Sequence, residues 1–359
     1  MNKNQKINVL VTGPSTDAGK GGQVTHIENI KSTFSGDENL QVEHFETSSA
    51  REHDESPFKK LLLLIIRSVR FPFYLRRVNV VHINSTLDNK ALTRDMVFMT
   101  WSLLLGKRFI VQYHGGKFQN TFYSKIKVLT KLWIALLKRS DSTLVLTDEQ
   151  YRLLSANGVA SINKVVNYVG GGTYNNAKPA IFTFIFLGRI IREKGIFEIL
   201  DACKSANRSH KFQVLFYGDG PDRALLLKKA KEAGLEDTVF WRGTVDGQEK
   251  VDAYANAQVF LLPSYAEGLP YSVLEAMSYG LPVISTDKGS LAQVVRHKET
   301  GLIVPVNDSE ALSTCMTTLM EDETTYQSMC KAAKSLINAH YSVETMKRVF
   351  TQLWSTKAR

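Results

Sequence analysis

The sequence predicts an α/β chain built as two doubly wound domains, and three observations carry that prediction. At 359 residues the chain is too long for one ordinary core and suits two domains of roughly 150 to 200 residues. Short apolar runs alternate with helical patterns along its length, the mark of parallel strands joined by crossover helices. The stretch 263–282 then reads as strand end, loop, helix and stop, which places polar residues at the carboxyl end of a strand. In such sheets that end is where ligands bind.

The first strand, 7–12, leads into Gly13-Pro14-Ser15-Thr16-Asp17-Ala18-Gly19-Lys20-Gly21-Gly22. A Walker A reading fails here: five residues rather than four separate Gly13 from Gly19, and Gly21 stands where a Mg²⁺-binding Ser or Thr is required. A glycine-rich turn opening a helix over 23–34 still lets backbone approach a ligand, so Gly21 and Gly22 are candidates, with a merely flexible turn as the alternative. Strands follow at 40–45, 78–83, 109–113, 142–146 and 164–169. His114-Gly115-Gly116 ends one of them, in an exposed turn. The non-periodic segment 175–179 marks the linker, giving a first domain over 1–175 and a second over 180–340.

In the second domain strands are expected at 181–187, 212–217, 238–241, 259–262 and 283–286. Gly188-Arg189 closes the first of them and Lys194-Gly195 opens the next helix. Two cations five residues apart on such a turn can clamp a diphosphate, Arg by its planar fork and Lys as a point charge; the alternative is a surface salt-bridge pair. After residue 262, Gly268 and Pro270 set up a helix that Gly280 and Pro282 close. Val273, Leu274 and Met277 share one stripe, Glu275 lies off it, and Glu267 precedes the helix, so both carboxylates are expected in one crevice with the Gly268 and Leu269 N–H groups. A terminal helix over 343–354 carries Met346, Val349, Phe350 and Leu353 on one side.

Composition narrows the partners. Of the net charge of +10, residues 1–180 hold all of it, with 24 Lys and Arg against 14 Asp and Glu; the remainder is balanced at 21 against 21. Stretches 57–86 and 96–140 contain no acidic residue, and their Lys and Arg alternate with aliphatic and aromatic side chains. That pattern suits an anionic membrane surface; a basic helix packed on its own domain is the alternative. No nucleic-acid reading motif or run of stacking aromatics is present, and nucleic acid is not an expected partner. The longest apolar block, 61–66, is far short of a bilayer span. Residues 1–6 run into a strand without the apolar core of a signal peptide, and three unpaired-looking cysteines fit a reducing compartment, so a cytoplasmic location is expected. No Asp-x-Asp or His/Cys ligand cluster stands at the strand ends, and neither a metal nor another cofactor is expected.

The residues from Pro263 to Ile284 resemble the E-x7-E signature of the retaining family 4 glycosyltransferases of the bacterial surface-polysaccharide type. Glu267 and Glu275 take the two acidic positions, within Pro-Ser-x-x-Glu-Gly, Glu-Ala-Met and Gly-x-Pro-Val-Ile. The resemblance continues at Gly188-Arg189, Glu193-Lys194-Gly195, Gly218-Asp219-Gly220-Pro221 and Gly301-Leu302-Ile303-Val304-Pro305 with Asp308, covering about 181–320 strongly and the first half weakly.

It implies the GT-B architecture, two Rossmann-like, doubly wound α/β domains facing a cleft, with residues 341–359 crossing back to the first domain. The implied reaction is transfer of a sugar from a nucleotide diphosphate sugar, a UDP-sugar ahead of a GDP-sugar, to a lipid-linked or polysaccharide acceptor in capsule, exopolysaccharide, O-antigen or lipopolysaccharide synthesis. Arg189 and Lys194 would hold the diphosphate with Gly188, Glu275 the ribose, Glu267 with Gly268 and Leu269 the sugar, and His114 the sugar from the other domain. Gly21 and Gly22 would face the donor diphosphate or the acceptor. Together with the basic first domain, the resemblance implies a peripheral position at the inner face of the plasma membrane. One departure stands out: Gln293 occupies a place where the family carries an acidic residue. A nucleotide-sugar 2-epimerase on the same fold and an inactive membrane-surface binding protein are the alternative functions.

Overall fold

The computed structural model describes residues 6–17, 21–48, 55–116, 118–172, 181–206 and 211–356; the expected linker at 175–179 and Gly19 and Lys20 of the glycine-rich turn lie outside the described residues. In chain order the first elements are β1 (Ile7–Gly13), α1 (Gly22–Thr33), β2 (Leu40–Glu46), α2 (Pro57–Leu75), β3 (Val80–Ser85), α3 (Asn89–Leu104), β4 (Arg108–Tyr113), α4 (Lys127–Leu137), β5 (Ser142–Val145), α5 (Asp148–Ala156) and β6 (Ile162–Lys164). There follow β7 (Phe182–Leu187), α6 (Ile196–Ser205), β8 (Phe212–Tyr217), α7 (Arg223–Glu232), β9 (Val239–Trp241), α8 (Gly247–Ala255), β10 (Val259–Leu262) and α9 (Tyr271–Ser278). The last are β11 (Val283–Ser285), α10 (Leu291–Val294), β12 (Gly301–Ile303), α11 (Ser309–Glu321), α12 (Glu323–His340) and α13 (Val343–Ser355).

The chain divides into two units, one of residues 1–167 with 343–359 and one of 168–342. The first holds a six-stranded sheet in the order β2-β1-β3-β4-β5-β6, and every pairing is parallel. Its inner strands β3, β4 and β5 are buried on both faces, as parallel strands between helix layers are, while the edge strands β2 and β6 are partly exposed. Phe71 of α2 stacks on Phe98 of α3 at 4.2 Å, and Trp133 of α4 stacks on Phe118 at 4.8 Å, so aromatic side chains tie one helical layer to the sheet. On α13, Met346, Phe350 and Trp354 are buried; the Arg108 guanidinium donates to the Leu353 and Trp354 carbonyls. Helix starts carry the caps their sequence allows: Ser56 for α2, Asp88 for α3, and a Thr147/Gln150 capping box for α5.

The second unit holds six parallel strands in the order β12-β11-β10-β7-β8-β9. From β7 the chain winds outward through β8 and β9, then crosses to β10 on the other side. The switch in winding direction therefore falls between β7 and β10, and in the first sheet between β1 and β3.

Three details depart from the expectation. The strand expected at 164–169 lies at Ile162–Lys164, because its partner β5 ends at Val145 and leaves nothing further to pair with; Val169 instead bridges to Ser342. The segment Gly301–Ile303 is a strand at the sheet edge beside β11. On α13 the buried face includes Trp354, while Val349 and Leu353 are half-buried.

Candidate active site

In the second unit the loops after β7, β10 and β11 are joined through backbone. Gly195 has φ 74°, and a Cβ there would stand 2.3 Å from the Pro263 carbonyl oxygen. Gly289 has φ 64°, and a Cβ there would stand 1.8 Å from the Glu267 carbonyl oxygen. Only glycine accommodates both the left-handed backbone and these approaches. The Tyr265 N–H donates to the Glu193 carbonyl at 2.9 Å, and the Ser290 N–H to the Gly268 carbonyl at 3.0 Å. The result is one platform at the switch point, with its side chains set by three strand ends.

On that platform Lys194 Nζ lies 2.5 Å from Glu267 Oε1. The carboxylate side chain is 6 % exposed and the lysine 24 %, so the pair is shielded but the lysine still reaches solvent. Arg189, in the same β7 loop, is exposed, and among the described residues its guanidinium has no ion pair. Leu269 is buried in the wall of the β10 loop. The Gly188 N–H donates to the Tyr217 carbonyl at 3.0 Å, which commits it to the sheet.

Glu275 sits on α9 and is held by α8: Lys250 Nζ is 2.5 Å from its Oε1, and the Tyr254 hydroxyl donates to its Oε2 at 2.9 Å. Tyr254 in turn stacks on Tyr279 at 5.5 Å. Burial, then the Glu275 charge, pushes the Tyr254 and Tyr271 phenols well above their ordinary value, so both stay protonated and Tyr254 remains a donor. Each signature carboxylate thus has its own lysine. Lys250 escaped the sequence reading because a lysine on a polar helix start ordinarily faces solvent, and nothing in the spacing links it to a residue 25 positions on. Gln293 is exposed on the short α10.

In the first unit His114 follows β4. Its N–H donates to the Ser85 carbonyl at 2.9 Å, and Gly116, at φ 88°, passes within 2.7 Å of the Leu87 backbone, counted from a built Cβ. The ring Nε2 lies 2.7 Å from Asn84 Oδ1. Asn84 Nδ2 donates to the Thr12 carbonyl at 3.0 Å, so Oδ1 must accept, and the proton of a neutral His114 sits on Nε2. Nδ1 then carries a lone pair. The His114 ring packs 4.4 Å from that of His26 on α1, and His82 Nε2 lies 3.1 Å from Gln112 Oε1. Phe350 of α13 packs edge-on against His82. Burial drives the three imidazoles down, His82 to about 4, His114 to about 3 and His26 well below its ordinary value, with histidine neighbours adding to the effect at His26 and His114. All three are neutral at pH 7. Gly21 precedes α1 in extended backbone, with nothing within 4 Å of a built Cβ, and Gly22 is the first helical residue.

Among the described residues no group of three or more His, Cys, Asp or Glu side chains is placed to hold a metal ion. Cys203 and Cys330 are buried and Cys315 is half-buried.

Comparison with known proteins bears on the same region. Residues 175–336 match the family described as Glycosyl transferases group 1. TuaC of Bacillus subtilis, named for teichuronic acid biosynthesis as a glycosyltransferase, is 30% identical over 175 residues, 46% of this chain and 42% of that protein. The amylovoran biosynthesis glycosyltransferase AmsK of Erwinia amylovora is 27% identical over 177 residues, 46% of this chain and 43% of that protein. The chain therefore matches less than half the length of these relatives. HepE of Anabaena, solved in complex with UDP, superposes with a TM-score of 0.77 at 14% identity, covering 98% of this chain and 100% of that one. Residues 175–336 form a glycosyl transferases group 1 domain, within a chain that has the GT-B fold of two doubly wound units.

Proposed function

We propose that the protein is a retaining glycosyltransferase that moves a sugar from a nucleotide diphosphate sugar, a UDP-sugar ahead of a GDP-sugar, to a lipid-linked or polysaccharide acceptor in bacterial surface glycan synthesis. The observation that carries this reading is the platform at the β7/β10 switch point. There an exposed Arg189 shares a loop with Lys194, and Lys194 is paired to Glu267. The names of TuaC and AmsK support the glycan setting, and the UDP held by HepE supports the donor class.

In this reading Arg189 binds the diphosphate with its planar fork, and Lys194 adds a second positive charge. Lys194 starts neutralised by Glu267, so an arriving diphosphate shares the lysine and leaves a Glu267 oxygen available to a sugar hydroxyl. As the glycosyl–phosphate bond breaks, negative charge builds on the departing diphosphate, and the two cations stabilise it without reorganisation. Glu275, oriented by Lys250 and Tyr254, takes the ribose hydroxyls. Glu267 with the Gly268 and Leu269 backbone holds the sugar. His114 accepts a hydrogen bond from a sugar hydroxyl at Nδ1, since its Nε2–H is committed to Asn84. Gly21 and Gly22 flank the donor or acceptor. No metal or other cofactor enters the scheme. The protein acts in the cytoplasm at the inner face of the plasma membrane, where the positive charge of residues 1–180 favours anionic lipid.

The test is a screen of UDP- and GDP-sugars with free nucleotide as readout, with and without lipid-linked saccharides. Nucleotide release that requires acceptor, and falls by on the order of 10² in Arg189→Ala, is the expected result. Acceptor-independent release or interconversion of the donor with no acceptor would refute transfer in favour of epimerase chemistry.

A further inference from the structure

We propose that α2 lies in the plane of an anionic membrane and inserts an outward-facing apolar ridge into it. This deepens the membrane-surface assignment above, and its test involves no sugar transfer, so the two readings fail separately.

The observation is that α2 is inside out at its solvent side. Phe58, Leu62, Ile65, Val69 and Phe73 are exposed, from 45% for Leu62 to 77% for Phe58, and at 3.6 residues per turn they fall within about 80° of one another. A surface helix ordinarily turns charged residues to that side. The opposite side is a true core face, with Phe71 and Leu75 fully buried. Lys59 and Arg70 lie exposed on the flank between the two, Lys59 paired with Glu55 just before the helix, while Lys60 and Arg67 are half-buried and turn toward the core side. The helix thus has three sectors where a soluble helix needs two.

Neighbouring elements extend the pattern. Packed in series, α2 on α3 and α3 on α4, they expose Leu103, Leu104 and Leu105 at the end of α3, and Val128 and Leu132 beside Lys127 and Lys131 on α4. Residues 57–86 and 96–140 contain no carboxylate, so nothing on these segments repels an anionic surface. No helix among the described residues is long and apolar enough to cross a membrane. An apolar ridge flanked by cations, on a helix that does not span, fits the headgroup and acyl boundary of a bilayer rich in anionic lipid.

The experiment is vesicle flotation of the full chain with phosphatidylcholine vesicles, with and without phosphatidylglycerol, at about 0.1 M and about 0.5 M salt. One variant carries Leu62→Gln, Ile65→Gln and Val69→Gln, all solvent-facing, with folding checked by its thermal transition. The other carries Lys59→Gln and Arg70→Gln. Wild type should bind anionic vesicles and keep part of that binding at high salt. The apolar variant should lose at least about 100-fold at both salts, at roughly tenfold per aliphatic side chain. The basic variant should lose about 30-fold at low salt and little at high salt. Full vesicle binding by the folded apolar variant would overturn the proposal. So would a wild type that ignores vesicles but self-associates through a contact the apolar variant abolishes, since the ridge would then cover a second copy of the chain.

Discussion

Removing either partner of the Lys194–Glu267 pair deletes the same contact, yet the two substitutions should differ in cost. Glu267 is 6 % exposed, so Lys194→Met strands a carboxylate that water cannot reach well. The penalty for an uncompensated, largely buried charge is about 3 kcal/mol. Lys194 is 24 % exposed, so in Glu267→Gln its ammonium can turn to solvent and still donate to the new amide, and the cost is about 1 kcal/mol. The double variant should recover most of the loss, because neither charge remains. In a unit spanning residues 168–342, a kcal/mol moves the transition by about 2–4 °C. Calorimetry should therefore show a drop of about 6–12 °C for Lys194→Met and about 2–4 °C for Glu267→Gln, with the double variant near the milder of the two. Equal losses, or a double variant as bad as the sum, would show that shielding of Glu267 does not control this pair.

Three further outcomes are expected. Lys250→Met should raise the donor KM about tenfold with little change in kcat, because it loosens Glu275, whose contact is alike in ground and transition states; Lys250→Arg should restore much of the binding, and a fall in kcat alone would count against a positioning role. Buried His26 and His82 and half-buried His114 should make the first unit acid-labile: their folded pKa values lie below the unfolded value near 6.5, so stability is full above that pH. It falls as the pH drops from there toward about 4 and 3, the folded values of His82 and His114, by up to about 1.4 kcal/mol per pH unit for each group. Urea midpoints that stay flat from pH 7 to 5, or that keep the full slope in His114→Gln, would contradict this. Gly289→Ala forces a Cβ against the Glu267 carbonyl at positive φ and should cost more than about 2 kcal/mol in the second unit, measured by denaturant unfolding, with Gly243→Ala, at positive φ but in open space, clearly milder.

Much of the architecture was legible because it rests on local periodicity. Runs such as Phe182–Leu187 and Val259–Leu262 are largely apolar on both faces, as a buried parallel strand tends to be, and the glycines and prolines between them mark where each element stops. The acidic motif with its Gly-Arg and Lys-Gly turns was legible through its resemblance to the family 4 signature; the strand-end placement of its parts agrees with that resemblance but would not have singled it out. Less distinct was the run 164–169: its apolar residues are buried by packing, whereas a strand needs a partner, and β5 ends too soon.

Sequence by itself determined the two doubly wound units, the signature carboxylates and the placement of all the excess charge in the first half. Tertiary structure alone decided the pairings: Lys194 with Glu267 across 73 positions, Lys250 with Glu275, and Asn84 with His114. Such contacts depend on which loops the sheet order brings together, and nothing in the spacing of either partner encodes that. Tertiary structure also decided which side of α2 packs. Its apolar residues surround most of the helix, so periodicity marks an amphipathic segment without choosing a core face; that choice was made by the aromatic side chains of Phe45 and Phe98 against Phe71, leaving Phe58, Ile65 and Val69 to face outward.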